Sequence, residues 1–199
     1  DNNDALERQG IQRGMSYFFP PEVMGSHIGS DNCHCTRRRH SIEFRGLTAL
    51  FGHMGIELDP VKEDSNEKAN FAHYVALHKQ LRSLLHTGKM WRTPTDDSSH
   101  QVLSVVSEDQ FEAVVMVAQL DMPTHSLSGN LRILGLDDKA TYRIYVLDKP
   151  ANYNDIVVFQ PPWTEAGCEL SGEWCKEVGL SMPLLDPETA MLIKVEKVN

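Results

Sequence analysis

Two carboxylates stand at the front of the sequence, Asp1 and Asp4, in DNNDALERQG. A carboxyl can protonate a leaving oxygen if burial or a neighbouring charge raises its pKa. If the order there is strand, then carboxylate, then helix, Asp1 sits where barrel enzymes gather their catalytic groups, at the C-terminal mouth of a strand. Spacing alone also allows a plainer role, since Asp is a favoured cap at a helix N-terminus. On residue types alone both readings stay open.

A second cluster is Cys33-His34-Cys35, with His27 and His40 nearby. Structural zinc sites space their cysteines by about two to four residues and need four ligands. Cys-x-Cys with scattered His does not meet that pattern, so no metal is expected. His34 reads as a ligand-contacting or loop-ordering residue. His53 and Glu57 border an expected strand and suit packing or a surface hydrogen bond. Trp91, Trp163 and Trp174 can stack on sugars if exposed, but core packing is the commoner fate of a tryptophan. No Gly-rich phosphate loop and no Ser-His-Asp order is present.

These groups need elements to hold them. Residues 2–17 read as a helix capped by Asn2 or Asn3, with Asp4 and Glu7 at the positive end of its dipole. Pro20-Pro21 stops it. Residues 22–28 form a short strand, and residues 30–40 a polar loop. Ser41 caps the next helix, whose apolar set is Ile42, Phe44, Leu47, Leu50 and Phe51. A strand at 53–58 and a long helix at 65–86, closed by Gly88, follow. Alternating helix and strand over 1–88 is the pattern of βα units around a parallel sheet, and it starts in mid-cycle. That start suggests the tail of a longer chain, cut at the edge of an active site.

Residues 93–99 read as a polar linker. Beyond it the apolar period is mostly two, with strands expected at 102–106, 113–120, 131–136, 142–147, 156–159 and 190–195. A short helix is expected at 171–178. This half reads as an all-β sandwich.

The totals set limits. The 199 residues suffice for one large domain or two small ones. The net charge of −9 argues against nucleic acid or an anionic membrane as main partner. The basic run Arg37-Arg38-Arg39-His40 reads as a solvated or carboxylate-paired loop. Four cysteines in a chain this long are not a disulfide framework and read as reduced thiols in a cytosol. No apolar run reaches the length of a membrane span.

One resemblance covers nearly the whole chain. The segment DNNDALERQGIQRGMSYFFPPEVMGSHIG resembles the Ser-Asp-Asn-x-Asp-Ala and Pro-Glu-Val-Met-Gly-x-His segments of family 36 α-galactosidases. It continues through His34, Arg38, His40-Ser41, Glu43-Phe44-Arg45, residues 49–59, Leu77-His78-Lys79, residues 84–88 and residues 185–190. The resemblance implies an α/β plus all-β chain. Residues 1–92 would be the last part of a (β/α)8 barrel, from the end of strand six. Residues 93–199 would be a C-terminal antiparallel β-sandwich.

It also implies a retaining glycosidase with two carboxylates. Asp1 matches the acid/base, the nucleophile lies upstream, and Asp4 and His34 are candidate substrate-binding residues. No cofactor is implied. The partners would be α-galactoside oligosaccharides such as melibiose and raffinose, with a homo-oligomeric full-length enzyme in the bacterial cytoplasm. One departure stands out: the family's His-x-x-Gly-Arg reads His34-Cys35-Thr36-Arg37-Arg38 here, so Arg37 replaces a glycine. If that glycine needs positive φ, the loop is strained. The alternatives are a non-catalytic carbohydrate-binding or interaction module, and α-N-acetylgalactosaminide hydrolysis or galactosyl transfer within the same family.

Overall fold

The computed structural model describes residues 2–155 and 160–198, which form two compact units, Asp1–His86 and Thr87–Asn199. The candidate acid/base Asp1 and the strand expected at 156–159 lie outside the described residues.

In the first unit, α1 (Ala5–Met15) starts at Asp4, not at Asn2 or Asn3. Asp4 is extended, with φ −71° and ψ 121°, and its carboxylate accepts the N–H groups of Leu6 at 2.9 Å and Glu7 at 3.2 Å. Those are two of the donors that a helix N-terminus leaves unpaired. Asn2 is spent differently: its Oδ1 accepts the Asp4 N–H at 3.0 Å. A 3₁₀ turn at Pro21–Val23 leads into β1 (Gly25–Gly29). There Pro21 takes the first helical position, where its missing N–H costs nothing.

The hydroxyl of Ser41 accepts the Phe44 N–H and caps α2 (Ile42–Leu50), as its residue type suggests. Ile42, Phe44, Leu47, Leu50 and Phe51 are all buried, each contributing about 1.5–3 kcal/mol. The chain then enters β2 (His53–Glu57), parallel to β1 with Gly25 opposite His53 and Gly29 opposite Glu57. So α2 is the crossover that two parallel strands require. The long α3 (Ser65–Thr87) packs so closely on α2 that a Cβ at Gly46 would meet the Tyr74 ring at 2.4 Å. Arg45, 4% exposed, donates to the carbonyls of Gly29 (2.7 Å) and His40 (3.1 Å) and pairs with Glu67. It thereby fixes both ends of the loop that leaves β1.

The second unit opens with β3 (Lys89–Thr93), which residue type does not announce. Then come β4 (His100–Val106), β5 (Glu112–Gln119), the short β6 (Asn130–Leu131) and β7 (Thr141–Asp148). After these follow α4 (Trp163–Ala166), β8 (Cys168–Ser171), α5 (Gly172–Glu177), β9 (Leu180–Ser181) and β10 (Thr189–Lys197). Six strands make one antiparallel sheet in the order β3-β4-β5-β10-β7-β8, and β6 pairs β9 in a separate ribbon.

One face of the sheet, with Val115, Val117, Tyr142, Ile144, Met191 and Ile193, packs in a single cluster with Leu131 and Leu180 of the ribbon and with Trp163. The strand expected at 131–136 shrinks to two residues. Ile133 donates its N–H to Cys175 at 2.9 Å, and Gly135 turns to φ +88°, so burial persists there without a ladder. The expected linker is an ordered loop. The Asp97 carboxylate accepts the N–H groups of Ser99 (2.9 Å) and Thr124 (2.7 Å), a set of donors that lowers its pKa to about 2.

Candidate active site

Parallel strands collect functional groups at their C-terminal ends, and here those ends are Gly29 and Glu57, opposite one another. The loop leaving β1 closes on itself through an Asn32–Arg39 bridge. Inside it Cys33 donates its N–H to the Arg38 carbonyl and accepts the Arg37 N–H, both at 2.9 Å. That turn puts Arg37 at φ +66°. A left-handed backbone is the condition that favours glycine, so the position where the family pattern has Gly is occupied by a strained arginine. The turn nevertheless closes.

The loop reaches Asp4. The Thr36 hydroxyl donates a short hydrogen bond to Asp4 Oδ2, and Arg38 Nη1 lies 3.2 Å from the same oxygen and 2.8 Å from Glu7 Oε1. Arg39 pairs with Asp31 at 2.9 Å, so the basic run is largely carboxylate-paired. Asp4 is fully buried, with Oδ1 capping α1 and Oδ2 held by the loop. Burial pushes its carboxyl up. The Thr36 hydroxyl, the Glu7 N–H, His40 and Arg38 together outweigh that and hold it below the usual range. Asp4 is therefore an ionised clasp between helix and loop.

The two residues before it are also tied. Besides the Asp4 N–H, Asn2 Oδ1 has the Cys33 thiol as a donor at 4.0 Å. Glu57 Oε2 lies 3.1 Å from His27 Nδ1. Asn3 heads the causes that hold the Glu57 carboxyl low, ahead of the opposing effect of burial and the helping ones of His27 and Arg8. His34 is exposed, with its Nε2 3.2 Å from the Cys35 thiol. Among the described residues no group of three or more His, Cys, Asp or Glu side chains is placed to hold a metal ion.

The tryptophans belong to the second unit. Trp163 is in the core with its Nε1 donating to Ser181 O at 2.9 Å, and Trp91 is half-buried under Lys89. Sequence reasoning missed Thr36, whose contact with Asp4 spans 32 residues and is marked by no local pattern.

Two family profiles match the chain. The Melibiase profile matches residues 1–88, and the Glycosyl hydrolase family 36 C-terminal domain profile matches residues 100–194. An Escherichia coli alpha-galactosidase is 52% identical over 202 residues, covering 99% of this chain and 28% of that protein. A probable alpha-galactosidase C of Aspergillus flavus is 37% identical over 146 residues, covering 72% of this chain and 19% of its own length. A variant of the Geobacillus stearothermophilus alpha-galactosidase AgaA, solved in complex with raffinose, superposes with a TM-score of 0.81 at 27% identity. That match covers 100% of this chain and 25% of AgaA. The chain thus spans between 19% and 28% of the length of these relatives.

Proposed function

Since the chain belongs to glycoside hydrolase family 36, we propose that it supplies the proton-donor end of a retaining α-galactosidase. Its substrates are terminal α-galactosides of the raffinose and melibiose kind. The observation that carries this reading is the convergence of residues 2–4 with the loop of residues 30–40, beside the C-terminal ends of two parallel strands. In barrel enzymes that is where chemistry is done.

A parallel pair of strands is rarely found outside a larger, covered sheet. We accordingly read residues 1–92 as the closing part of a (β/α)8 barrel and residues 93–199 as the C-terminal β-sandwich. The earlier strands, and the nucleophile, belong to the length of the relatives that this chain does not span.

In the proposed reaction the upstream carboxylate attacks the anomeric carbon while Asp1, protonated, gives its proton to the glycosidic oxygen. The aglycone leaves as an alcohol. Asp1, now a carboxylate, takes a proton from water, which opens the glycosyl–enzyme ester and releases galactose with its configuration retained. His34, exposed on the loop, is a candidate contact for the sugar. Asp4, buried and doubly engaged, serves the site by fixing the loop. Four free cysteines fit a reducing cytoplasm. No helix among the described residues is long and apolar enough to cross a membrane. The full-length enzyme is a homo-oligomer in this reading, which light scattering checks.

The test is Asp1→Asn in the full-length enzyme. Raffinose turnover should collapse, while an activated aryl α-galactoside, whose leaving group needs little protonation, should suffer much less. Near-wild-type hydrolysis of raffinose by that variant would overturn the assignment.

A further inference from the structure

We propose that the second unit carries a binding site of its own for a neutral sugar, beside the edge strand of its six-stranded sheet. The choice of a galactosyl ligand rests on the function proposed above; the cavity itself does not. Among the described residues β3 ends the strand order, with β4 on one side alone. Next to it opens a cavity of about 620 Å³, a size that suits a small-molecule site. Lys89 and Trp91 of β3 line it, together with Ser107, Glu108 and Gln110 of the turn between β4 and β5, and Gly135.

The walls are tied to one another. Gln110 donates from Nε2 to the Gly135 carbonyl at 2.8 Å, and its own carbonyl accepts the Tyr142 hydroxyl at 2.7 Å. Gly135, at φ +88°, brings its backbone so close to the indole that an added Cβ would lie 2.2 Å from Trp91 Nε1. The cavity therefore exists before any ligand arrives, and binding does not have to order it.

Its chemistry selects the ligand. The half-buried Trp91 ring offers an apolar surface to the C–H face of a sugar. Lys89, whose Nζ stands 4.7 Å from the ring centroid, supplies donors, and Glu108 supplies acceptors. One cation and one anion line the cavity, so a neutral polyol suits it better than a phosphate or a carboxylate. A second observation points the same way. Trp91 Nε1 is enclosed without a hydrogen-bond partner, and so are the hydroxyls of Thr93 and Ser104. Ser104 is fully buried directly opposite Trp91, and Thr93, 3% exposed, follows on the same sheet face. Buried polar groups are seldom left unpaired. A ligand rich in hydroxyls brings acceptors to the indole N–H, and one enclosed water can relay them to the hydroxyls behind it.

The experiment is hydrogen exchange of the full-length enzyme with and without galactose, read by mass spectrometry. The N–H groups of Ser107 and Gln110 close the turn between β4 and β5 and report on the cavity wall. With galactose at about ten times its Kd for the site, their exchange should slow by about tenfold. Trp91→Ala should abolish that slowing while leaving the turnover of an aryl α-galactoside unchanged. If Trp91→Ala does not fold, Glu108→Lys decides: it removes the acceptor, makes the lining cationic and should likewise remove most of the slowing. No slowing at Ser107 and Gln110 in the unaltered enzyme, or slowing that survives these substitutions, overturns the site. Asp1→Asn should leave the slowing intact, so the two readings fail separately. Slowing together with an Asp1→Asn variant that hydrolyses raffinose normally refutes the proton donor alone. No slowing together with an Asp1→Asn variant that loses raffinose turnover refutes the sugar site alone.

Discussion

Arg37 offers a prediction whose sign follows from one dihedral angle. At φ +66° its Cβ crowds the backbone, a conformation that costs an L-residue roughly 1–2 kcal/mol. Its side chain is exposed and has no hydrogen bond or ion pair among the described residues. Replacing it by glycine removes the strain and breaks no such contact. Against this, glycine loses roughly 0.5–1 kcal/mol more backbone entropy on ordering. The balance favours Arg37→Gly by about 0.5–1 kcal/mol for closure of the loop.

A global melting curve dilutes so local a gain. Amide hydrogen exchange at Cys33 and Arg37, whose N–H groups close the turn, reads it directly. Protection there should rise roughly two- to fivefold in Arg37→Gly, the factor that such a free-energy gain gives. Arg37→Val should lower it, because a β-branched side chain tolerates positive φ worst of all. Unchanged or reduced protection in the glycine variant would refute the reasoning, since it would mean that the arginine side chain contributes more than its backbone costs.

Three further expectations concern groups whose environment is settled by named partners. Asp4→Asn keeps a capping oxygen but loses the ion pair to Arg38 and the Thr36 bond to a charged acceptor. It should destabilise by about 1–3 kcal/mol in denaturant titration at neutral pH. Because the Asp4 carboxyl is held below its ordinary value, its contribution is complete above about pH 4 and drains away as pH falls through the folded-state pKa. The acid limb of the stability curve should therefore flatten in the variant. Asp97, lowered to about 2, behaves in the same sense: the stability it lends residues 95–124 is lost as pH falls toward that value, and Asp97→Asn should remove that pH dependence in a thermal-shift series. Thiol labelling of the folded chain, read by peptide mass spectrometry, should mark exposed Cys35 first and buried Cys33 and Cys175 last. Burial pushes the Cys175 thiol up to about 12. Equal labelling of Cys175 and Cys35 would contradict the packing of the second unit.

What could be read in advance follows the range of the forces involved. Ser41 was identifiable as a cap because it stands alone before an apolar stripe, and α3 because its stripe repeats for six turns. The cap of α1 was not, because Asn2, Asn3 and Asp4 are all suitable cap residues. The choice among them is made by Thr36 and Arg38, more than thirty residues away. β3 escaped notice because Lys89-Met90-Trp91-Arg92-Thr93 has little alternation of its own and is a strand by virtue of pairing with β4. The opposite error at 131–136 has the same root: Ile133 and Leu136 are buried, and burial without a ladder partner gives no strand. In the site, the unusual Arg37 was visible from its departure from a motif. Thr36 was not, since a threonine in a loop is ordinary until its acceptor is known.

The two acids that open the chain can now be told apart by what each would have to do. A general acid must hold its proton near neutrality, which requires an environment that penalises the carboxylate. Asp4 has the reverse. Although buried, it is met by two backbone N–H groups, a hydroxyl and a guanidinium, all of which reward the charge. Its folded pKa falls rather than rises, so it cannot be the donor at the pH where the enzyme would work. The same contacts explain why an acid is needed there. Only an ionised carboxylate can cap α1 with one oxygen and satisfy Thr36 and Arg38 with the other. If the front of this chain supplies a proton donor, that task falls to Asp1. Asp4 then serves as the fixed charge that holds the helix start and the loop in register behind it.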